Sequence, residues 1–145
     1  MADPKKILHI DDDEDDRMLL YATIQEMDAD VKVMEAENGV EALSILKAAE
    51  SANDLPCLIV MDLNMPFMDG RQTLKRIKED PGLKELPLVV FTSGSNPDDR
   101  NFFESQGINM VVKPSDLQYL HRIVQAFLTA CRLSPLLPVG LADRL

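Results

Sequence analysis

Two kinds of segment alternate along this chain: short unbroken apolar runs, and longer stretches in which apolar residues recur every three or four positions. The tightest run is Leu58-Ile59-Val60-Met61, which stops on Asp62 and continues as Leu63-Asn64-Met65-Pro66. An unbroken apolar run of this length predicts a strand buried on both faces, as in the middle of a parallel sheet covered by helices. Comparable runs end at Ile10, at Thr92 and at Val112, and Val31-Lys32-Val33 alternates as a strand into Ala36. The helical stretches lie between these runs. Leu20, Ile24 and Met27 share one face. Asn38 with Glu41 forms a capping-box pattern that opens a second helix, with Val40, Leu43, Leu46 and Ala49 as its buried stripe. A third helix covers 70–79 with Leu74 and Ile77 inward, and Asp80-Pro81-Gly82 breaks it. Asn96-Pro97 starts a fourth, closed by Gly107. Ser115 with Gln118 repeats the capping-box pattern, and Leu117, Leu120, Val124, Phe127 and Leu128 give the fifth helix one apolar face.

Five strands alternating with five helices predict an α/β fold: a parallel sheet with right-handed crossovers, covered on both faces. Such sheets place ligands in the crevice beyond the carboxyl ends of their strands. Asp11 and Asp12 follow the first strand, Asp62 the third and Lys113 the fifth, while Thr92 ends the fourth; all therefore share one rim. The remaining acids of the run that begins at Asp11, namely Glu14, Asp15 and Asp16, read as solvated residues favoured at a helix N-terminus. A calcium loop through the same acids fails, because its sixth position is Asp16 where Gly is required and its twelfth is Ala22 where Glu is required. His9 reads as a packed strand side chain, with no second His or Cys nearby in sequence.

The length of 145 residues suits one domain with a real core, read here as residues 1–130. Residues 131–145 form a tail of unassigned purpose, apolar but punctuated by Pro135, Pro138 and Gly140. A net charge of -10 and a pI near 4.5 argue against nucleic acid or an anionic membrane surface as the main partner. No apolar run is long enough to span a bilayer. Cys57 and Cys131 are too few for a disulfide framework and no secretory leader pattern opens the chain, so a reducing cytoplasm is the expected location.

Charge then turns the rim into a chemical proposition. Three crowded carboxylates repel one another unless a cation joins them, and oxygen ligands without a Cys or His cluster favour magnesium. Lys113 adds a positive charge and Thr92 a hydroxyl donor. Together these groups describe a phosphoryl-binding site with its own nucleophile: Asp62 attacks phosphorus while the cation and Lys113 neutralise charge on the equatorial oxygens. With no glycine-rich phosphate loop in the sequence, ATP is not the expected direct donor.

The residues Ile10-Asp11-Asp12, Asp62-Leu63-Asn64-Met65-Pro66 with Met68-Asp69-Gly70, Thr92-Ser93 and Lys113-Pro114 resemble, in order and placement, the receiver domain of two-component response regulators. The resemblance covers roughly residues 5 to 130, and the length is similar to stand-alone receivers, including those paired with bacterial phytochrome-type kinases. It implies the flavodoxin-like strand order 2-1-3-4-5 and a phosphohistidine donor on a sensor histidine kinase or a histidine phosphotransfer protein. It makes Asp62 the phosphoacceptor, Asp11 and Asp12 the acidic pair for magnesium, and Asn64 a ligand through its backbone carbonyl. Thr92 becomes the hydroxyl that follows the phosphoryl group and Lys113 its cationic partner. Such a protein signals by contact, with self-association through the fourth helix, fifth strand and fifth helix, and is not an enzyme beyond its own phosphorylation and dephosphorylation. One departure stands out: Met110 occupies the position, three before the lysine, where receivers often carry a switch aromatic. Methionine fills space flexibly but has no ring hydroxyl, which leaves a phosphate sink or relay intermediate as the alternative to a switch. An aspartate-nucleophile phosphatase of the haloacid dehalogenase type would need a second acid where Asn64 stands. A pseudo-receiver would not need the full acidic set.

Overall fold

The five apolar runs become parallel strands and the five periodic stretches helices in the computed structural model, which describes residues 4–94 and 96–133. The strands are β1 (Lys6–Ile10), β2 (Lys32–Ala36), β3 (Leu58–Met61), β4 (Leu88–Thr92) and β5 (Asn109–Val112). The helices are α1 (Glu14–Met27), α2 (Gly39–Ser51), α3 (Gly70–Lys78), α4 (Pro97–Ser105) and α5 (Leu117–Arg132). The sheet order is β2-β1-β3-β4-β5, the order expected. The sheet reverses direction of growth at β1, with β3 on one side of it and β2 on the other, which is where a doubly wound sheet opens its ligand crevice.

Alternation along the strands divides the core into two layers. Leu8, Ile10, Ile59, Met61, Val90 and Met110 pack with Leu46, Leu74, Ile77 and Phe103 of α2, α3 and α4. Ile7, Leu58, Val60, Val89, Phe91 and Val111 pack with Leu20, Ile24, Ile123 and Phe127 of α1 and α5. The rings of Phe91 and Phe127 meet edge to face at a centroid distance of 5.5 Å.

Three expectations shift. Val40 and Leu117 are exposed: each stands in the first turn of its helix, and the buried faces are built by Gly39, Ala42 and Leu46 in α2 and from Leu120 onward in α5. The cap of α5 is Asp116 instead of Ser115, its carboxylate accepting the Tyr119 N–H at 2.7 Å. Finally, Cys57, which immediately precedes β3, is joined by a disulfide to Cys131 in the last turn of α5, with Cα atoms 5.0 Å apart. α5 thus runs through Arg132, and the apolar tail from residue 134 lies outside the described residues. Among the described residues no helix is long and apolar enough to cross a membrane.

Candidate functional site

The strand ladders extend one residue past three strand ends, and those residues carry the chemistry. Asp11 N–H donates to Ala36 O at 2.9 Å, Asp62 N–H to Ile10 O at 2.9 Å, and Lys113 N–H to Thr92 O at 2.8 Å. Each side chain therefore leaves a backbone already locked to a neighbouring strand. At the start of α3, Gly70 N–H donates to Leu63 O at 2.9 Å. A Cβ at Gly70 would stand 3.0 Å from Leu63 Cα and 3.1 Å from Asp62 O, so a larger residue would have to press α3 a few tenths of an ångström away from Asp62. The Asp69–Gln72 capping box fixes that helix start.

The site's charges converge on one ammonium. Lys113 Nζ lies 2.7 Å from Asp11 Oδ2, 2.7 Å from Asp16 Oδ2 and 3.2 Å from Asp62 Oδ2. Asp11 is fully buried; its Oδ1 accepts the Asp13 N–H at 2.9 Å, and Arg17 donates to its backbone carbonyl at 2.7 Å. Asp62 Oδ1 accepts the Leu63 N–H at 2.7 Å. Burial works to raise the Asp11 carboxyl, but His9, Lys113 and the Asp13 N–H together hold it down to about 2. Burial likewise opposes the charge on Lys113, yet its contacts with Asp11 and Asp16, and the field of Asp62, push its ammonium up from the ordinary lysine value.

Asp11, Asp12, Asp62 and Lys113 are thus brought together as expected, and Asp16 joins them. Its position in the acidic run suggested a helix-terminus acid, but the first turn of α1 carries it across to Lys113. Thr92 is buried at the end of β4, with its hydroxyl donating to Gly94 O at 3.1 Å instead of reaching Asp62. Asn64 is exposed in the loop after Asp62, and Met110 is buried in the core beside Val90. Phe67, on the same loop, is 87 % exposed and holds a left-handed backbone with φ 68. Nothing in its apolar character signals that conformation.

Asp11, Asp12 and Asp62 each offer an oxygen within 4.8 Å of the others. An all-carboxylate set suits a hard divalent ion, and Asp12, exposed at the rim, leaves an open side toward solvent. The residues present therefore fit a divalent cation.

The fold, the rim acids and the lysine define a receiver, and comparison with known proteins agrees. The model of the response regulator receiver domain family matches residues 7–125, and the chain belongs to that family. Response regulator Rcp1 of Synechocystis sp. is 34% identical over 125 residues, 84% of this chain and 85% of Rcp1. The phosphorylated cyanobacterial phytochrome response regulator RcpA superposes with a TM-score of 0.77 at 32% identity, covering 92% of this chain and 98% of that one. The Mn(2+)-bound form of Rcp1 superposes with a TM-score of 0.76 at 31% identity, covering 93% and 99%.

Proposed function

We propose that this receiver accepts a phosphoryl group on Asp62 from a phosphohistidine carried by a sensor histidine kinase or a histidine phosphotransfer protein. The single observation that carries this reading is Lys113 Nζ within hydrogen-bond reach of both Asp11 and Asp62 at the carboxyl edge of the sheet. An Asp62 carboxylate oxygen attacks phosphorus, the bond to the imidazole nitrogen breaks, and the imidazole leaves with the electron pair and takes up a proton. Leu63 N–H holds Asp62 Oδ1, which turns Oδ2 toward the incoming group. Lys113 then moves its charge from the carboxylates to the phosphoryl oxygens. Asp11, Asp12 and Asp62 are the carboxylates that would hold magnesium, joined by the Asn64 backbone carbonyl on the strength of the family likeness. When bound, the cation supplies charge neutralisation at the phosphoryl oxygens.

Thr92 is the hydroxyl that follows the phosphoryl group, giving up its bond to Gly94 O, and Met110 takes the space this frees in the core. Output runs by contact through α4, β5 and α5, the face that also serves a homodimer. RcpA is named a phytochrome response regulator; by that likeness the donor here is a kinase of the phytochrome type.

The test is incubation with acetyl phosphate and magnesium, read by intact-protein mass. Wild type gains one phosphoryl group in a base-labile linkage, and Asp62→Asn gains none, because an amide is no nucleophile at phosphorus. Equal labelling of Asp62→Asn would move the acceptor elsewhere.

A further inference from the structure

His9 is out of keeping with the strand that carries it. Its neighbours in β1 are Ile7, Leu8 and Ile10, and it is itself only 1 % exposed. Neither ring nitrogen has a hydrogen-bond partner among the described residues. Leaving a buried donor unmatched costs about 1–3 kcal/mol, so a packing role alone would be better filled by an aliphatic residue. Strand alternation puts His9 on the same face as Asp11, two residues on, and its Nε2 lies 3.6 Å from Asp11 Oδ2. That separation is longer than a good hydrogen bond, although the ring is already near enough to help hold the Asp11 carboxyl down, and a shift of about half an ångström completes the bond.

The shift acquires a purpose when Lys113 leaves. Asp11 Oδ2 takes its hydrogen bond from Lys113 Nζ at 2.7 Å, while Oδ1 takes its own from the Asp13 backbone. If Asp62 is phosphorylated as proposed above, on which this inference rests, Lys113 turns to the phosphoryl oxygens. Asp11, wholly buried, then loses its charge-assisted donor at Oδ2, and a buried carboxylate oxygen left without a donor is costly. His9 is the side chain beneath it that carries an N–H. We propose that His9 is a positioning residue: its Nε2–H closes on Asp11 Oδ2 and keeps that carboxylate aimed at the divalent cation through the reaction. Ligating carboxylates are commonly held by such outer donors, and removing one weakens metal binding about 10–100-fold.

The experiment compares wild type with His9→Leu and His9→Gln, the glutamine restoring an N–H donor. Three quantities are read: the magnesium dissociation constant by calorimetry in the presence of beryllofluoride, which stands in for the phosphoryl group and draws Lys113 away, the acetyl phosphate labelling rate, and the melting temperature in EDTA. Expected for His9→Leu are roughly tenfold weaker magnesium binding and slower labelling below saturating magnesium, with an equal or higher metal-free melting temperature. His9→Gln recovers most of the affinity. A side chain that only packs would move melting and leave magnesium binding alone; unchanged affinity in His9→Leu overturns the proposal. If His9→Leu does not fold, His9→Met, of similar volume and without a donor, gives the same comparison. Failure of wild type to take label would overturn Asp62 as acceptor and this inference with it, whereas normal labelling with unchanged magnesium affinity in His9→Leu overturns the role of His9 alone.

Discussion

Lys113 is a lysine held by three carboxylates at once, two of them on residues that are themselves buried. Such an arrangement makes the resting site dependent on charge. Asp11 titrates at about 2 in the folded protein against an ordinary 3.8, so the folded state holds its proton less tightly than the unfolded chain. Its contribution is therefore present above about pH 4 and is lost as pH falls toward 2. The size is about 2 kcal/mol, from roughly 1.4 kcal/mol for each pH unit of displacement. Lys113, displaced upward, keeps its side of the pair throughout that window and loses it only above the ordinary lysine value of 10.5. In metal-free buffer we expect the urea midpoint to fall between pH 4 and 2, and the fall to flatten in Lys113→Met. Identical slopes in both proteins would show that Lys113 does not hold Asp11 down. Most of this constellation is legible in the sequence, because each residue sits just beyond an apolar run. Asp16 is not, since its partner is 97 residues away and nothing local marks the contact. Phe67 is hidden for a different reason: left-handed backbone is read from Gly or Asn, not from a bulky aromatic.

The connection from β3 to α3 determines how firmly Asp62 is aimed. Gly70 brings the start of α3 against the backbone of Asp62 and Leu63, and Leu63 N–H in turn holds the Asp62 carboxylate. A methyl group at Gly70 meets main-chain atoms that cannot swing aside. We expect Gly70→Ala to cost about 1–3 kcal/mol, as overpacking does, and to slow labelling by acetyl phosphate. Gly94→Ala, where a Cβ meets nothing within 4 Å, is the control and should leave stability near wild type. Equal urea midpoints for the two variants would mean that α3 gives way freely. Elements of this kind are only partly written in local pattern. Periodicity finds α2 and α5 but not where each helix meets the sheet, which is why Val40 and Leu117 are exposed despite their spacing. The Asp69–Gln72 box is hidden in the sequence because Gly70, a residue typical of loops, stands inside it, and Asp116 outranks Ser115 by one position on the strength of its Tyr119 contact. Strand order is not in the periodicity at all; it came with the family resemblance and agrees with the pairing of β1 to both β2 and β3.

At the scale of the molecule the two ends of the sheet have different tasks. The carboxyl rim gathers the acids and Lys113, whereas the opposite end is closed by the Cys57–Cys131 disulfide, which ties the last turn of α5 to the start of β3. Two cysteines do not make a framework, but across 74 residues of sequence one bond removes much of the unfolded chain's freedom, about 4 kcal/mol on loop-entropy grounds. Disulfides persist in oxidising compartments, so this link and a reducing cytoplasm pull in opposite directions, and redox state becomes a lever on stability. We expect dithiothreitol to lower the urea midpoint of wild type by the equivalent of about 2–4 kcal/mol. Cys131→Ser should start at the reduced value and ignore the reductant. Labelling of Asp62 should change little in either case, because the bond lies at the far end of β3, about 15 Å away at strand spacing. The decisive measurement is thiol titration of the unreduced protein beside the two urea curves. Two free thiols and one midpoint would leave Cys57 and Cys131 as core side chains in contact, and the stiffness of α5 would then rest on Phe127, Leu128 and their neighbours in the second core layer alone.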